Sequence, residues 1–331
     1  MSDRYDRQLL LDNWDQTKLE QSTVTVVGLG ALGTVAAASL AMAGVGNLIL
    51  IDFDTIETSN LNRQLFFRPT DVGASKVTVA AQVLHDINPD INIETLDTPI
   101  EKAPKDLLKK STVVVEGLDT FKVRRWVNSF IIEANIPLVS GGMYGFLGNV
   151  QVVIPNKSPC LECQSLIPEE ELQKACTPFG EVRKQMRSEE AAKEIIPSVS
   201  TVSFVIGGIM AQETMKIILG LPPLEPFLFW DGKEGIFTAV PLNRRDDCFV
   251  CSPRYQLKAI PIRSPINQRM SDFVLQLQYS FNLGPDVALL LQTSALKISD
   301  EKIGNIFKSG DVFRVVDPVL TSPLKFEIIL D

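Results

Sequence analysis

The chain has 331 residues, 45% of them apolar, and a formal net charge of −8. That length supports two or three domains with a sizeable core. The acidic balance, with no basic stripe interleaved with aromatics, argues against a nucleic-acid binder.

The start, MSDRYDRQ, is charged and does not read as a signal peptide. Residues 1–20 read as an amphipathic helical lead-in carrying Arg4 and Arg7; by spacing alone it is a solvated terminal helix. Val24 to Val27 is an apolar run expected to form a buried parallel strand. Gly28, Gly30 and Gly33 follow as GxGxxG, then a small apolar helix over Thr34 to Ala43, then a second strand, Leu48 to Ile51, ending in Asp52 and Asp54. Glycines let backbone approach a phosphate, a helix N-terminus offers free N–H groups, and Asp52 can bond a ribose hydroxyl. The competing reading is a glycine turn that serves packing alone.

Asn60, Arg63 and Gln64 fall just past the end of that second strand, where ligands sit in such sheets. A helix is expected from Ser75 to Asn88, with Lys76 in its first turn. A cation there opposes the helix dipole, so it is either simply solvated or pairs with an anion at that same site, a reading the neighbouring Arg63 favours. The single histidine, His85, reads as a surface or packing residue, which leaves little room for histidine acid–base chemistry. Strands are expected at 91–97, at STVVVEGLDT and at IPLVSGG, with helices near 104–110 and from Lys122 to Asn135. This β/α alternation is that of a doubly wound sheet. Asp119 ends one strand, as a helix cap or as a magnesium ligand.

GNVQVVIP alternates as an antiparallel strand would. Two CxxC pairs follow, Cys160 with Cys163 and Cys248 with Cys251; four thiolates match a closed tetrahedral zinc site, and two unrelated, redox-active pairs are the alternative. Such pairs point to metal in a reducing compartment, hence a cytoplasmic location, rather than to disulfides. Between Gln164 and Pro197 the chain is strongly charged and reads as a mobile helical excursion. It holds Cys176, near Lys174 and Arg183, surroundings that favour thiolate; the alternative is a buried small hydrophobe. Val202 to Leu219 is the most apolar helical stretch, but Gln212, Glu213 and Lys216 make it a buried helix rather than a membrane span. Two short strands precede the second CxxC, and Pro253 marks a boundary before a small α+β domain.

RYDRQ, GLGALG, GVGNLILIDFDTIETSNLNRQ, GASKV, EGLDT, PLVSGG and the two CxxC pairs together resemble the adenylating enzymes that activate ubiquitin-like proteins, a superfamily that includes the adenylyltransferases of molybdopterin and thiamine synthesis. The resemblance covers residues 1 to about 252, and the tail from 270 resembles the ubiquitin-fold domain of the eukaryotic enzymes. It implies an α/β fold with a Rossmann-like adenylation domain over 1–163 and 198–257, a catalytic-cysteine segment over 164–197 and a ubiquitin-fold domain over 258–331. It implies roles as well. Gly28, Gly30 and Ala31 would cradle ATP phosphates, Ala31 standing where the family often has glycine. Asp52 would hold the ribose, while Asp54, Asn60, Arg63, Gln64 and Lys76 would hold phosphates or orient the incoming carboxylate. Asp119 would bind Mg²⁺, the four paired cysteines Zn²⁺, and Arg7 would reach the neighbouring subunit's triphosphate. Cys176, in KACTPFG, would form a thioester.

The activity so implied is ATP-dependent adenylation of a ubiquitin-like protein ending in Gly-Gly, then transfer to a conjugating enzyme docked on the C-terminal domain. Arg7 and Cys176 share one chain, so a homodimer is the simpler arrangement. A sulfur-carrier adenylyltransferase shares the whole ATP site and is the alternative. An NAD-dependent dehydrogenase would explain GxGxxG and Asp52 but not Arg63, Lys76, Asp119 or the cysteines, and those same residues argue against a non-catalytic partner subunit.

Overall fold

The computed structural model describes residues 3–163, 197–224, 227–253, 259–291 and 294–331. Cys176 and its charged segment lie outside the described residues. The chain forms two compact units, one built from residues 3–124, 134–158 and 197–242, the other from 125–133, 159–163 and 243–331.

The first unit is an eight-stranded sheet in the order β3-β2-β1-β4-β5-β6-β7-β8. Its strands are β1 (Thr23–Val27), β2 (Asn47–Asp52), β3 (Asn92–Asp97), β4 (Val113–Glu116), β5 (Leu138–Tyr144), β6 (Leu147–Val153), β7 (Phe227–Asp231) and β8 (Ile236–Val240). β3 to β5 pair in parallel, and β6, β7 and β8 continue the sheet antiparallel. Valine and isoleucine runs fit strands buried on both faces, and β4 is buried at every residue. α1 (Gln16–Gln21), α2 (Ala31–Ala43), α3 (Lys76–Ile87), α4 (Lys105–Leu108) and α5 (Phe121–Ala134) fall between or before these strands, with α6 (Ser200–Leu219) between β6 and β7. α5 starts in this unit and gives most of its length to the other.

α2 is almost entirely buried, with Ala36, Ala37 and Ala41 fully enclosed. Its small side chains let α6 approach closely: a Cβ on Gly207 of α6 would stand 2.7 Å from Val35. α6 is long and apolar enough to cross a membrane by length and composition. Here Val202, Ile206, Met210 and Ala211 are core residues, and its buried Glu213 is paired with Lys216 at 2.9 Å.

The chain start departs from a single solvated helix. It forms two short turns, Asp3–Tyr5 and Gln8–Leu10, before α1. Asn13, at φ +62°, breaks the helical path, and the Asp15 side chain starts a new helix by accepting from the Thr17 and Lys18 N–H groups. Tyr5 is buried, and its hydroxyl accepts from Asn88 Nδ2 at 2.9 Å.

The second unit carries a five-stranded sheet, ordered β11-β10-β12-β13-β9. These are β9 (Ile260–Ser264), β10 (Ala288–Leu291), β11 (Ser294–Ala295), β12 (Val312–Val316) and β13 (Leu324–Leu330). First and last strands pair in parallel and the rest antiparallel. Two helices, α7 (Met270–Phe281) and α8 (Ile303–Ile306), contribute Phe273, Leu277 and Ile303 to its core. There the rings of Phe273, Phe307, Phe313 and Phe326 meet at centroid distances from 5.1 to 6.2 Å, Phe313 stacked on Phe326 and the others tilted or edge-on.

This core extends into the cysteine-bearing part of the same unit. Phe249, between the second cysteine pair, meets Phe281 edge-on at 5.9 Å. Arg125 of α5 is buried, pairs with Glu162, and donates to the Asn282 and Phe281 carbonyls. Ser129 and Glu133 bond Thr321, and Glu133 also bonds Ser322. A chain ending at residue 258 would strip these partners away, at about 1–3 kcal/mol for each buried polar group left unsatisfied. Such a truncation should unfold at a lower temperature in scanning calorimetry, and an unchanged midpoint would show these contacts to be dispensable.

Candidate functional site

Strand connections reverse direction between β1 and β4, and ligands of open α/β sheets bind beyond the carboxyl ends of strands at such a point. The turn after β1 is tight. Gly28 adopts φ +84°, which favours glycine, and its N–H donates to Ile51 O. A Cβ on Gly33 would lie 1.8 Å from Gly28 O, so the first turn of α2 rests directly on that turn. Gly30 caps α2 with no side-chain acceptor. The first N–H groups of the helix, beginning at Ala31, therefore have no intrahelical partner. Space around Gly30 is open, its nearest neighbour being Gln64 Nε2 at 3.9 Å from a Cβ position. Such a bare helix start with open space in front of it could receive a phosphate.

Asp52 stands at the end of β2, yet its carboxylate already has work in the protein. Oδ2 accepts from Leu29 N–H at 2.6 Å, inside the glycine turn, and Oδ1 accepts from Asp54 N–H at 2.8 Å. Burial pushes its carboxyl above the usual carboxylate range, with Lys76 opposing. Asp52 thus holds the turn in shape, with spare lone pairs for a ribose hydroxyl.

Lys76 is the first residue of α3, and its side chain is 7% exposed. Its Nζ pairs with Asp54 Oδ2 at 2.7 Å, so it is not simply solvated, and its partner is a carboxylate of the chain itself. Asp54, 54% exposed, presents the pair outward. Asn60 is buried and closes its own short turn, accepting from Glu57 N–H at 3.0 Å. Arg63 is half-buried, and its guanidinium is braced by Ser59 O at 2.7 Å. Gln64 is buried, and its Oε1 has no partner among the described residues; the same holds for Ser75 Oγ, next to Lys76. Cations, orphaned polar atoms and uncapped N–H groups fit a nucleotide polyphosphate.

Asp119 follows β4 and is exposed. Its Oδ1 accepts from Thr120 Oγ at 3.1 Å, and its other oxygen remains available, as a hard-cation ligand requires. Arg7 is exposed on the N-terminal turns.

In the second unit the two cysteine pairs meet. Sγ separations are 3.7 Å for Cys160–Cys248, 3.9 Å for Cys160–Cys163 and 3.3 Å for Cys163–Cys251, and all four sulfurs lie within 4.8 Å of one another. Four thiolates around one zinc at 2.3 Å would stand about 3.8 Å apart. Both pairs are buried, and Leu161 N–H donates to Asn128 Oδ1 at 3.0 Å, tying the first to α5. Contacts with Cys163, Cys248 and Cys251, together with burial, push the Cys160 thiol well up, while contact with Cys160 draws Cys163 down to about 7. Such a cluster ionises as a set only around a cation, so it could hold a metal ion; the reading as two unrelated pairs does not hold.

The ThiF family profile matches residues 5–250. The chain belongs to the ThiF family. It therefore sits in the superfamily of adenylating enzymes that includes those activating ubiquitin-like proteins. It is 34% identical to the sulfur carrier protein ThiS adenylyltransferase of Escherichia coli K12 over 255 residues, which cover 75% of this chain and 94% of that protein. It is 28% identical to the Nedd8-activating enzyme E1 catalytic subunit of Drosophila melanogaster, over 78% of this chain and 71% of that one. Among solved structures, E. coli MccB with MccA-N7isoASN matches with a TM-score of 0.63 and 26% identity, over 76% of each chain. Family membership leaves no place for the dehydrogenase reading.

Sequence reasoning missed two features of this ThiF-family site. One is the Asp52 bond to Leu29. The other is a buried network around Glu116 and Arg124, whose signal was an acid closing a valine run, VVVE. Gly33→Ala tests the cradle: the added methyl collides with backbone, so the turn must shift. Nucleotide affinity by calorimetry should fall at least about tenfold, roughly 1.4 kcal/mol; unaltered affinity would mean the turn does not hold phosphate.

Proposed function

We propose that this chain is an ATP-dependent adenylyltransferase that activates the C-terminal carboxylate of a small carrier protein ending in Gly-Gly. The observation that carries this reading is the uncapped, glycine-led start of α2 at the sheet's switch point, with the Asp54–Lys76 pair and Arg63 on neighbouring segments.

A carboxylate is a poor electrophile and a competent nucleophile. Its oxygen attacks the α-phosphorus of ATP, the bond to the bridging oxygen breaks, and pyrophosphate leaves with the electron pair. Negative charge builds on the phosphates. Backbone N–H groups from Ala31 onward, the Arg63 guanidinium and the Lys76 ammonium are fixed donors for that charge. Asp54 keeps Lys76 in place, and the buried Gln64 stands next to Gly30. A Mg²⁺ held by Asp119 would supply further neutralisation of the phosphates. Zn²⁺ in the four-cysteine cluster would be structural, because four protein ligands leave no open position. Arg7 would reach across to a second copy in a homodimer.

The relatives favour a sulfur-carrier protein as the substrate. One observation favours a second reading, activation of a ubiquitin-like modifier. Family similarity ends at residue 250, and beyond it the chain adds the α+β sheet of residues 260–330. In that reading this region is a ubiquitin-fold domain that docks a conjugating enzyme, and the Cys176 thiolate displaces AMP from the acyl-adenylate to form a thioester.

ATP–pyrophosphate exchange with candidate carrier proteins tests the proposal. Exchange should require the terminal glycine, and Arg63→Ala and Asp119→Ala should each lower it about a hundred- to thousandfold. Full exchange in either folded variant contradicts the site. Cys176→Ala separates the two substrates: exchange persists in both cases, and a reductant-labile carrier adduct that vanishes in the variant marks the modifier reading. Metal analysis should find one zinc per chain under reducing conditions, and chelation should lower the melting temperature; zinc-free protein of full stability would remove that site.

A further inference from the structure

Glu116, the last residue of β4, is fully buried. An acid in that position needs partners, and it has two. Arg124 Nε lies 3.2 Å from Oε1, and Ser140 Oγ donates to the same oxygen at 2.7 Å. Arg124 Nη2 in turn donates to Ser140 Oγ at 2.6 Å and to Gly141 O at 3.0 Å. Burial pushes the Glu116 carboxyl up, and Arg124 favours its ionised form. Glu116 Oε2 has no partner among the described residues, so the network closes through a single carboxylate oxygen. None of these groups is used in the adenylation chemistry described above.

Their placement gives them a task. Glu116 and Arg124 bracket residues 117–123, the short segment that carries Asp119 from the end of β4 into α5. Gly117 lies against the phosphate turn: its N–H donates to Val27 O at 3.1 Å, and a Cβ on it would stand 3.0 Å from Leu32 Cβ. Ser140 and Gly141 anchor the bracket to β5.

We propose that Glu116 and Arg124 are positioning residues that pin both ends of the Asp119 segment, so that Asp119 meets a nucleotide-bound divalent cation without ordering a loop first. This rests on the assignment of Asp119 as the Mg²⁺ ligand. Groups that orient a metal ligand from behind typically change metal affinity 10–100-fold when replaced. A purely structural ion pair would change folding stability and nothing else.

The test is calorimetric titration of a non-hydrolysable ATP analogue, with and without Mg²⁺, into the full chain and into Glu116→Gln. The side chain keeps its size, and only its charge is lost. In the wild type, Mg²⁺ should tighten binding. In Glu116→Gln the metal-free affinity should stay within about twofold, while the gain from Mg²⁺ falls about tenfold or more. The double variant Glu116→Gln, Arg124→Gln should lose no more than either single one, because the two act as one unit. Should Glu116→Gln not fold, Ser140→Ala removes one partner of the same network and should reduce the Mg²⁺ gain in the same direction. An intact gain in a folded variant that merely melts earlier overturns the positioning role. A wild type that binds the analogue but gains nothing from Mg²⁺ overturns the role of Asp119 itself, and the inference with it.

Discussion

The contact on which the first unit depends is between two pieces of backbone. The start of α2 touches the turn after β1 so closely that a Cβ on Gly33 would sit 1.8 Å from Gly28 O. Glycine at both positions permits that approach and leaves the helix N-terminus bare. From it follows the electrostatic character of the site, a cluster of unpaired N–H groups facing the carboxyl end of the sheet. Asp52 reinforces it by accepting from Leu29 within the turn, and Gly117 packs against it from β4. The same contact that packs α2 on the turn leaves its N-terminus bare, so the two readings of the GxGxxG motif are compatible.

Charge is arranged around that turn in graded burial. Lys76 is nearly enclosed, Asp54 and Arg63 are partly exposed, and Asp119 is exposed. A paired, part-buried lysine keeps its position at lower entropic cost than a solvated one, and exposed groups remain free to meet an incoming chain. Behind them, the Glu116–Arg124–Ser140 network lets the protein place a fully buried carboxylate without leaving it unpaired.

Much of this was legible in the residues. The β1–α2–β2 unit, the antiparallel turn of the sheet at β6 and the convergence of the cysteine pairs all follow from periodicity, glycine spacing and ligand type. What escaped depends on three-dimensional neighbours. Spacing cannot say whether Lys76 is solvated or paired, because Asp54 lies on another element. The N-terminal stretch looked like one helix because Asn13 and Asp15 tolerate helical positions; their side-chain and backbone preferences broke it. The resemblance puts the cysteine pairs in the adenylation domain; Phe249 and Arg125 tie them to the aromatic core of the second unit, which spacing alone does not show. A polar or aromatic residue between two metal ligands has no periodicity to betray what it touches.

Following the phosphates tests the central claim most directly. With ATP labelled at the α-phosphate and a carrier protein ending in Gly-Gly, the label should move onto the carrier together with the adenosine, in an adduct that alkaline hydroxylamine releases as AMP. Label at the γ-phosphate should leave in pyrophosphate. Recovery of ADP and inorganic phosphate, with no α-label on the carrier, would contradict the account.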